Sequence, residues 1–385
     1  MALTRLVVNT LARAGVRING SDAWDIRVNN ERFYRRAARG ALGLGESYMD
    51  GDWDAVALDA FFGQVIASNL ASSGIARLNR LSLVLRARIA NLQNRQRSRA
   101  VAEEHYDLDH RMYALFLGPY NQYTCCFFDG TDNLDEAEIV KLEMICDKLE
   151  IHATDKVLDI GCGWGGFARY AAETRGCEVT GVTLSTEQAA FAREFAAGLP
   201  VDIHVSDYRD LPTLFRRKFD KVLICGMLEH VGYRNYRRLM QVVASLLKDD
   251  GLFLLHTIGN TDETLIADPW IEKYVFRNSM IPSMKQLVES FRNLFVVHDW
   301  ENYGHYYSDT LKAWQRNFER NWSTIRALKS TRPFDERFRR MWNYYLMSSK
   351  AAFDVESLLL WQIVMTKSGM RKAVYDRVNL RVGAG

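Results

Sequence analysis

The stretch Lys156-Val-Leu-Asp-Ile-Gly-Cys-Gly-Trp-Gly-Gly-Phe167 decides the fold. Its apolar start, Val157 to Ile160, is typical of a buried parallel strand. The glycines that follow allow a tight turn and a close approach to a ligand, and helical spacing begins at Phe167. Because a strand, a glycine-rich loop and a helix in this order form a nucleotide-binding unit, the sequence predicts such a site here.

The position of the acidic residues indicates which nucleotide binds. Gly161, Gly163 and Gly166 match the weak pattern G-x-G-x-x-G of dinucleotide sites, which also require an acid about 20 residues further on. The next predicted strand, 178–184, has no acid at its tip. Asp159 precedes the glycines instead, where its carboxylate could anchor the loop amides or face a cationic, amino-acid-like ligand. The loop resembles the S-adenosylmethionine loop of class I methyltransferases; a nicotinamide cofactor, or a glycine turn without a ligand, is the alternative.

Strands and helices alternate from residue 156 onward. We predict strands at 156–161, 178–184, 202–206, 220–227 and 251–258, helices at 165–175, 186–197 and 233–248, and a turn at 249–251. Further strands are expected at 295–303 and 360–367. This alternation predicts an α/β fold with a doubly wound, mainly parallel sheet that binds its ligand beyond the carboxyl ends of the strands.

A helical, aromatic-rich insertion is predicted at 308–353. Its large aromatic residues are Trp314, Phe318, Trp322, Phe334, Phe338, Trp342, Tyr344 and Tyr345. They could simply pack a core, or they could line a channel for a long apolar substrate.

The chain of 385 residues is long enough for two domains. We predict a smaller N-terminal helical or α+β domain in 1–100, with a flexible glycine-rich connector at 40–45, and a catalytic domain in 101–385. The stretch 74–100 carries seven arginines and no acid. It is either a solvated helix face or linker, or a basic surface that faces anionic lipid headgroups. Nucleic acid fits less well, because no binding module accompanies the charge.

Composition limits the cellular setting. The six cysteines show no C-x-x-C spacing, which favours a reduced, cytoplasmic protein without a metal site. We expect neither a signal peptide nor a membrane-spanning segment. Any membrane contact is therefore expected to be peripheral. The net charge of +3 is too small to indicate nucleic acid by itself.

Several marker motifs in a fixed order now identify a family. They are Gly43–Gly51, His105–Asp107, Gln122–Cys125, Val157–Gly166, Gly181–Ser185, Glu229–Gly232, Leu254–Gly259 and Asp268–Ile271. With these motifs the chain resembles the cyclopropane-fatty-acyl-phospholipid synthases, bacterial enzymes that use S-adenosylmethionine, over nearly its whole length.

The resemblance implies two groups of site residues. S-adenosylmethionine would be held by Tyr123, Thr124, Asp159, Gly161, Cys162, Gly163, Trp164, Gly165, Gly166, Thr183, Leu184, Ser185, Gln188, Asp207 and Tyr208. A bicarbonate ion, acting as the base, would be held by Cys125, Glu229, His256, Ile258 and Tyr307. From the residues alone, Glu229 could instead cap a helix, and His256 could be an ordinary core histidine.

The resemblance also implies the activity. The enzyme would add a methylene group to cis double bonds of unsaturated phospholipid acyl chains, working at the inner face of the membrane, with assembly as a homodimer as a further expectation. A fatty-acyl methyltransferase with a methyl-branched product, or a lipid- or cofactor-binding protein without turnover, is the alternative. The chain departs from the family pattern at Asp109-His110 and at Arg277-Asn278-Ser279, where substrate entry or lid closure could differ.

Overall fold

The computed structural model describes residues 2–68, 109–263, 268–330, 333–369 and 375. The arginine run at 77–99 and the motif His105–Asp107 lie outside the described residues. The prediction of a lipid-facing basic surface therefore stays a prediction.

The N-terminal part is small and mostly helical. It contains α1 (Ala2–Arg13), β1 (Ile26–Val28), α2 (Arg32–Ala37), α3 (Ala41–Met49), β2 (Trp53–Ala55) and α4 (Leu58–Ala67). The two strands pair antiparallel, with Ile26 opposite Ala55.

The remainder of the described chain forms the α/β layers. Its strands are β3 (Lys156–Ile160), β4 (Glu178–Thr183), β5 (Val201–Val205), β6 (Phe219–Cys225), β7 (Leu247–Gly259), β8 (Phe295–Asn302) and β9 (Leu359–Lys367). Its helices are α5 (His110–Ala114), α6 (Leu134–Lys148), α7 (Gly166–Arg175), α8 (Thr186–Phe195), α9 (Leu211–Leu214), α10 (Tyr233–Leu246), α11 (Pro269–Tyr274), α12 (Met284–Phe291), α13 (Gly304–Arg320), α14 (Trp322–Ala327) and α15 (Glu336–Asp354).

These seven strands form one sheet in the order β5-β4-β3-β6-β7-β9-β8. The first five in this order are parallel to their neighbours, whereas β9 runs antiparallel to β7 and β8. The prediction of a doubly wound, mainly parallel sheet is confirmed. The predicted strands lie within a few residues of the observed ones.

Side chains on alternate positions of β3 enter opposite cores. Leu158 and Ile160 pack in the cluster that contains α10 and α12. Val157 packs in the cluster that contains α6 and α7. Since successive side chains of a strand point to opposite faces, both faces of the sheet are covered by helices, as a doubly wound sheet requires.

One end of β7 differs from the prediction. Phe219 pairs with Leu247, but Lys221 pairs with Leu252, so residues 248–251 bulge out of the register. The turn expected at 249–251 falls within this irregular part of β7 and does not precede the strand. An irregularity of this kind ends regular pairing without ending the strand.

The insertion between β8 and β9 shares a core with the N-terminal part. All eight predicted aromatic residues of the insertion are buried in this cluster, together with Phe33, Trp53 and Phe61. Arg340 on α15 donates hydrogen bonds to the backbone oxygens of Tyr48 (2.5 Å) and Trp53 (2.9 Å). These aromatic residues therefore do pack a core, while the domain boundary at residue 100 stays a prediction.

The glycine-rich connector predicted at 40–45 is wrong, because these residues begin helix α3. A Cβ at Gly45 would lie 2.3 Å from the Trp270 ring, and one at Gly43 would lie 2.0 Å from the Arg36 carbonyl oxygen. The glycines thus serve close packing rather than flexibility. Within the described ranges, no helix combines the length and apolar character that crossing a membrane demands.

Candidate active site

The glycine loop between β3 and α7 leaves space for a ligand. Gly161, Gly163 and Gly165 have positive φ angles of 87°, 54° and 81°, which L side chains rarely adopt. A Cβ on Gly161 would clash with Met227 and one on Gly165 with Ala192, whereas a Cβ on Gly163 would meet nothing within 4 Å. The open side of the loop is therefore at Gly163, which fits a ligand that approaches the backbone there.

Asp159 lies in β3 directly before this loop. Its carboxylate accepts no hydrogen bond from any residue that the structure describes, so the loop amides are held otherwise: Gly161 and Cys162 donate to the Val182 carbonyl (2.8 and 3.0 Å). Burial raises the Asp159 pKa to about 7, opposed by the positive charge of Lys141. The structure therefore speaks against the anchoring role, and contact of Asp159 with a cationic ligand stays a prediction.

The segment 118–124 lies across the loop. A Cβ on Gly166 would lie 1.9 Å from the Tyr120 carbonyl oxygen. Two buried residues of α6 hold this segment: Glu138 accepts from the amides of Tyr120 (2.7 Å) and Gln122 (2.8 Å). Lys141 donates to the side chains of Gln122 (2.7 Å) and Thr124 (3.1 Å). Thr124 is thereby held in place by α6, and its contact with a cofactor stays a prediction.

Tyr123 and Trp164 belong to an aromatic group around the same loop. The Tyr123 ring stacks on Trp314 at 5.3 Å, and its hydroxyl donates to the Tyr345 hydroxyl at 3.0 Å. Trp164 packs edge-on against Phe191 at 5.5 Å. His110, one of the departures from the family, lies 6.2 Å from the Trp164 ring.

The tips of β4 and β5 bring further predicted residues to this edge of the sheet. Ser185 caps α8 by accepting from the Gln188 amide. The Thr183 hydroxyl donates to the side-chain amide oxygen Oε1 of Gln188 at 2.8 Å. Leu184, between Thr183 and Ser185, is half-buried. Asp207 accepts from the guanidinium of Arg209 at 2.7 Å.

Tyr208 follows Asp207 and is also buried. The guanidinium of Arg209 lies over its ring, 4.6 Å from the centroid. Asp207 and Tyr208 follow the end of β5, at the same carboxyl edge of the sheet as the glycine loop. Their contact with a cofactor stays a prediction.

Glu229 lies just beyond β6, in a short 3-10 turn. It does not cap α10, whose N-cap is Gly232 without a side-chain cap. Its Oε1 accepts from the Ile258 amide at 2.6 Å, and its Oε2 is buried with no partner among the described residues. Burial raises the Glu229 pKa, and the hydrogen bond from Ile258 opposes that rise. The predicted Ile258 amide thus contacts Glu229 in this structure.

His256 is the residue of β7 that pairs with Cys225 at the end of β6. Its Nδ1 lies 3.2 Å from Nε2 of Gln362, and its Nε2 is buried without a partner in the described part of the chain. Burial lowers the His256 pKa well below its ordinary value, and the charges of Lys141 and Lys148 act in the same direction. The ring is therefore neutral at physiological pH.

Tyr307 and Cys125 are the other two residues predicted to hold the anion, and that role stays a prediction. Tyr307 is buried, whereas its neighbour His305 is exposed, so the structure supports Tyr307 as the inward residue. Burial raises the Tyr307 pKa, and nearby Cys125 and Glu229 add to the rise. Cys125 Sγ lies 3.8 Å from Thr310 Oγ1. Burial also raises the Cys125 pKa, so this thiol is not a reactive thiolate.

The segment after α11 contacts the same pocket through its backbone. The Met280 amide donates to the Glu229 carbonyl oxygen at 2.8 Å, and the Tyr236 hydroxyl donates to the Met280 carbonyl oxygen at 3.3 Å. Phe276 packs near Tyr345 at 5.6 Å. The departure at Arg277–Ser279 therefore lies on a segment that is tied to Glu229.

Sequence reasoning missed Glu138, Lys141 and Gln362. On α6 the apolar Ile139 is 40% exposed, whereas the charged Glu138 and Lys141 are fully buried. The spacing of 138, 141, 142 and 145 fits one helix face and could have revealed this. Gln362 is the one polar residue between Leu359 and Met365 of β9. A polar residue inside such an apolar run was the signal that could have revealed it.

Comparison with known proteins agrees with this geometry. The family model described as mycolic acid cyclopropane synthetase matches residues 93–363. The chain is 43% identical over 373 residues to the cyclopropane-fatty-acyl-phospholipid synthase of Escherichia coli (strain K12), covering 96% of this chain and 95% of that protein. It is 30% identical over 357 residues to the tuberculostearic acid methyltransferase of Mycobacterium tuberculosis, covering 87% of this chain and 81% of that protein.

A solved structure shows the same arrangement of elements. The mycolic acid cyclopropane synthase crystallised with SAH and CTAB superposes with a TM-score of 0.61 at 26% identity, covering 70% of this chain and 98% of that one. The fold and the enzyme class predicted from the sequence, an S-adenosylmethionine-dependent methyltransferase, are confirmed. The chain belongs to the mycolic acid cyclopropane synthetase family.

Proposed function

We propose that this enzyme transfers a one-carbon unit from S-adenosylmethionine to cis double bonds of phospholipid acyl chains and closes a cyclopropane ring. The observation that carries the proposal is the position of two buried polar atoms, Glu229 Oε2 and His256 Nε2, at the edge of the sheet that carries the open Gly163 loop; neither atom has a partner in the part of the chain that the structure describes. The 43% identity to a cyclopropane-fatty-acyl-phospholipid synthase supports the lipid substrate.

The reaction requires an apolar, water-free site. An alkene is a weak nucleophile, so it must be held in line with the sulfonium methyl that S-adenosylmethionine supplies. Transfer of that methyl leaves a positive charge on the acyl chain. The centroid of the Trp314 ring lies 5.3 Å from that of Tyr123 and 6.1 Å from that of Tyr307, and aromatic rings of this group can stabilise the charge.

Ring closure requires removal of a proton from the added methyl group. Glu229, His256 and Tyr307 provide the buried polar groups for a small anion at this point, and a bicarbonate held there would supply the basic oxygen. Tyr307 can donate its hydroxyl hydrogen, because its raised pKa keeps the phenol protonated. Glu229, whose pKa is raised, can exchange a proton with the anion, so the pair can act as a relay.

We further propose that the enzyme binds the inner face of the membrane peripherally, as a cytoplasmic protein. The arginines at 77–99 provide seven cations in a stretch, 74–100, that contains no acid, and each such cation near anionic lipid contributes on the order of 1 kcal/mol. Replacing Arg86, Arg88, Arg95 and Arg97 by glutamine should weaken binding to anionic vesicles at low salt. Equal binding by the wild type and this variant would contradict the lipid contact. Assembly as a homodimer is a separate proposal, tested by the molar mass in solution.

A methyl-branched product is the second candidate, because the chain is also 30% identical to a tuberculostearic acid methyltransferase. The anion pocket favours ring closure, which needs a base after methyl transfer.

The first test is SAH release with unsaturated phospholipid vesicles, using fully saturated vesicles as the matched control. The proposal expects release with the unsaturated vesicles only. Equal release with both vesicles, or none with either, would contradict the assigned acceptor.

A further inference from the structure

Gln362 on β9 faces His256 on the neighbouring strand β7. The two residues are directly opposite each other in the antiparallel pair β7–β9. Gln362 Nε2 lies 3.2 Å from His256 Nδ1, and both side chains are fully buried. This contact therefore forms without competition from water.

The contact decides which ring nitrogen carries the hydrogen. Burial keeps His256 neutral, and a neutral imidazole carries one hydrogen, on Nδ1 or on Nε2. An amide nitrogen can donate but cannot accept. With the Gln362 nitrogen at Nδ1, the histidine must accept there, so its hydrogen lies on Nε2. That nitrogen is the one without a partner among the described residues.

We propose that Gln362 is a positioning residue that fixes the Nε2–H tautomer of His256, so that the imidazole presents a hydrogen-bond donor to the anion. The role rests on the proposed function, since it assumes that the anion binds at His256. A donor attracts an anion, whereas the lone pair of the opposite tautomer would repel it.

The cost of Gln362 to the core supports a functional role. Its Oε1 is buried and has no partner among the residues that the structure describes. A buried polar atom without a hydrogen bond destabilises a fold, whereas an apolar side chain of similar size at the same position does not. Strand β9 is otherwise apolar from Leu359 to Met365, so packing alone would favour a residue such as methionine here.

Two variants separate the tautomer from packing. In Gln362→Glu, the carboxylate accepts from Nδ1–H, which moves the hydrogen away from Nε2. In Gln362→Met, the donor is lost at similar volume. Thr366→Val is the control, because Thr366 is also buried on β9 but contacts His298, with 2.8 Å between its Oγ1 and Nε2.

The readout is the tautomer of His256, measured by nitrogen NMR on the full chain labelled with 15N-histidine. The resonance is assigned with His256→Asn. We expect Nε2–H in the wild type and in Thr366→Val, and Nδ1–H in Gln362→Glu. Turnover on unsaturated vesicles should fall by about tenfold or more in Gln362→Glu, as expected when a catalytic histidine is held in the wrong tautomer. The dissociation constant for S-adenosylhomocysteine should not change.

Gln362→Met removes the partnerless Oε1 but also the donor to His256 Nδ1, so these two effects on the melting temperature oppose each other. A loss of turnover while the folded protein still binds S-adenosylhomocysteine with wild-type affinity excludes a purely structural role. Nδ1–H in the wild type, or wild-type turnover in both variants, would overturn the proposal. Dependence of wild-type turnover on bicarbonate is measured in parallel. Its absence would contradict the proposed base, whereas a wrong tautomer would contradict the role of Gln362, so the two failures are distinguishable.

Discussion

Glu229 Oε1 accepts a hydrogen bond of 2.6 Å from the Ile258 amide, while its second oxygen, Oε2, is buried and has no partner among the described residues. This contact joins the end of β6 to the end of β7. It holds one carboxylate oxygen in place and leaves the other for proton exchange.

Glu229→Gln therefore tests the relay. The amide oxygen can still accept from Ile258, so the fold should be preserved, but the side chain can no longer take up or release a proton. Turnover should fall by about 100-fold, in the range that general acid–base groups contribute. The dissociation constant for S-adenosylhomocysteine, measured by calorimetry, should stay the same. Wild-type turnover in this variant would remove Glu229 from the proposed proton path.

The glycine loop offers a closely matched pair of substitutions. Gly163 and Gly198 both have positive φ (54° and 85°), and a Cβ on either would meet nothing within 4 Å. Alanine should thus strain both backbones similarly, by about 1–2 kcal/mol. Only Gly163→Ala places a methyl group in the space assigned to the cofactor, and we expect a loss of S-adenosylhomocysteine affinity of about tenfold or more there. Equal affinities in the two variants would show that the cofactor binds elsewhere.

The buried lysines of α6 separate support of the cofactor site from general stability. Lys141 holds Gln122 and Thr124, whereas Lys148 donates to Glu301 (2.5 Å) and Tyr303 (3.0 Å). Replacing either by methionine should lower the free energy of unfolding by about 3 kcal/mol, because buried polar partners lose their donor. Only Lys141→Met should weaken S-adenosylhomocysteine binding. Weaker binding in both variants to the same degree would mean that α6 acts through stability alone.

Asp159 should make the stability of the ligand-free enzyme depend on pH. Burial raises its pKa from 3.8 to about 7, so the folded protein binds this proton more tightly than the unfolded chain does. The contribution of the protonated group to stability is then lost as the pH rises from about 4 to about 7, by on the order of 4 kcal/mol at most. Urea unfolding across this window should show a steeper decline for the wild type than for Asp159→Asn. If the free energy of unfolding falls equally with pH in the wild type and in Asp159→Asn, a group other than Asp159 causes the decline.

The fold was predictable because its signals are local and repeated. The apolar run before Gly161 indicates a buried strand. The alternation of strands and helices after it indicates a parallel sheet that is covered by helices on both faces. Gly43 and Gly45 misled the prediction, since a glycine needed for close approach to Trp270 looks the same in sequence as one needed for flexibility. That distinction depends on a contact between distant parts of the chain.

The site was only partly predictable for a related reason. The family resemblance named Glu229 and His256, whose partners the structure then supplied. Lys141 and Gln362 carry no motif, and a charged or amide side chain is ordinarily exposed. Their burial depends on the segment 118–124 and on the pairing of β9 with β7, which a single sequence does not specify.

The most direct test of the central claim is a single assay, in which the enzyme acts on cis-unsaturated phospholipid vesicles with S-adenosylmethionine, with and without added bicarbonate. The acyl chains are then analysed by mass and fragmentation. The account predicts cyclopropane-containing chains, formed faster when bicarbonate is present. A methyl-branched or methylene product, or a cyclopropane product whose rate is indifferent to bicarbonate, would contradict it.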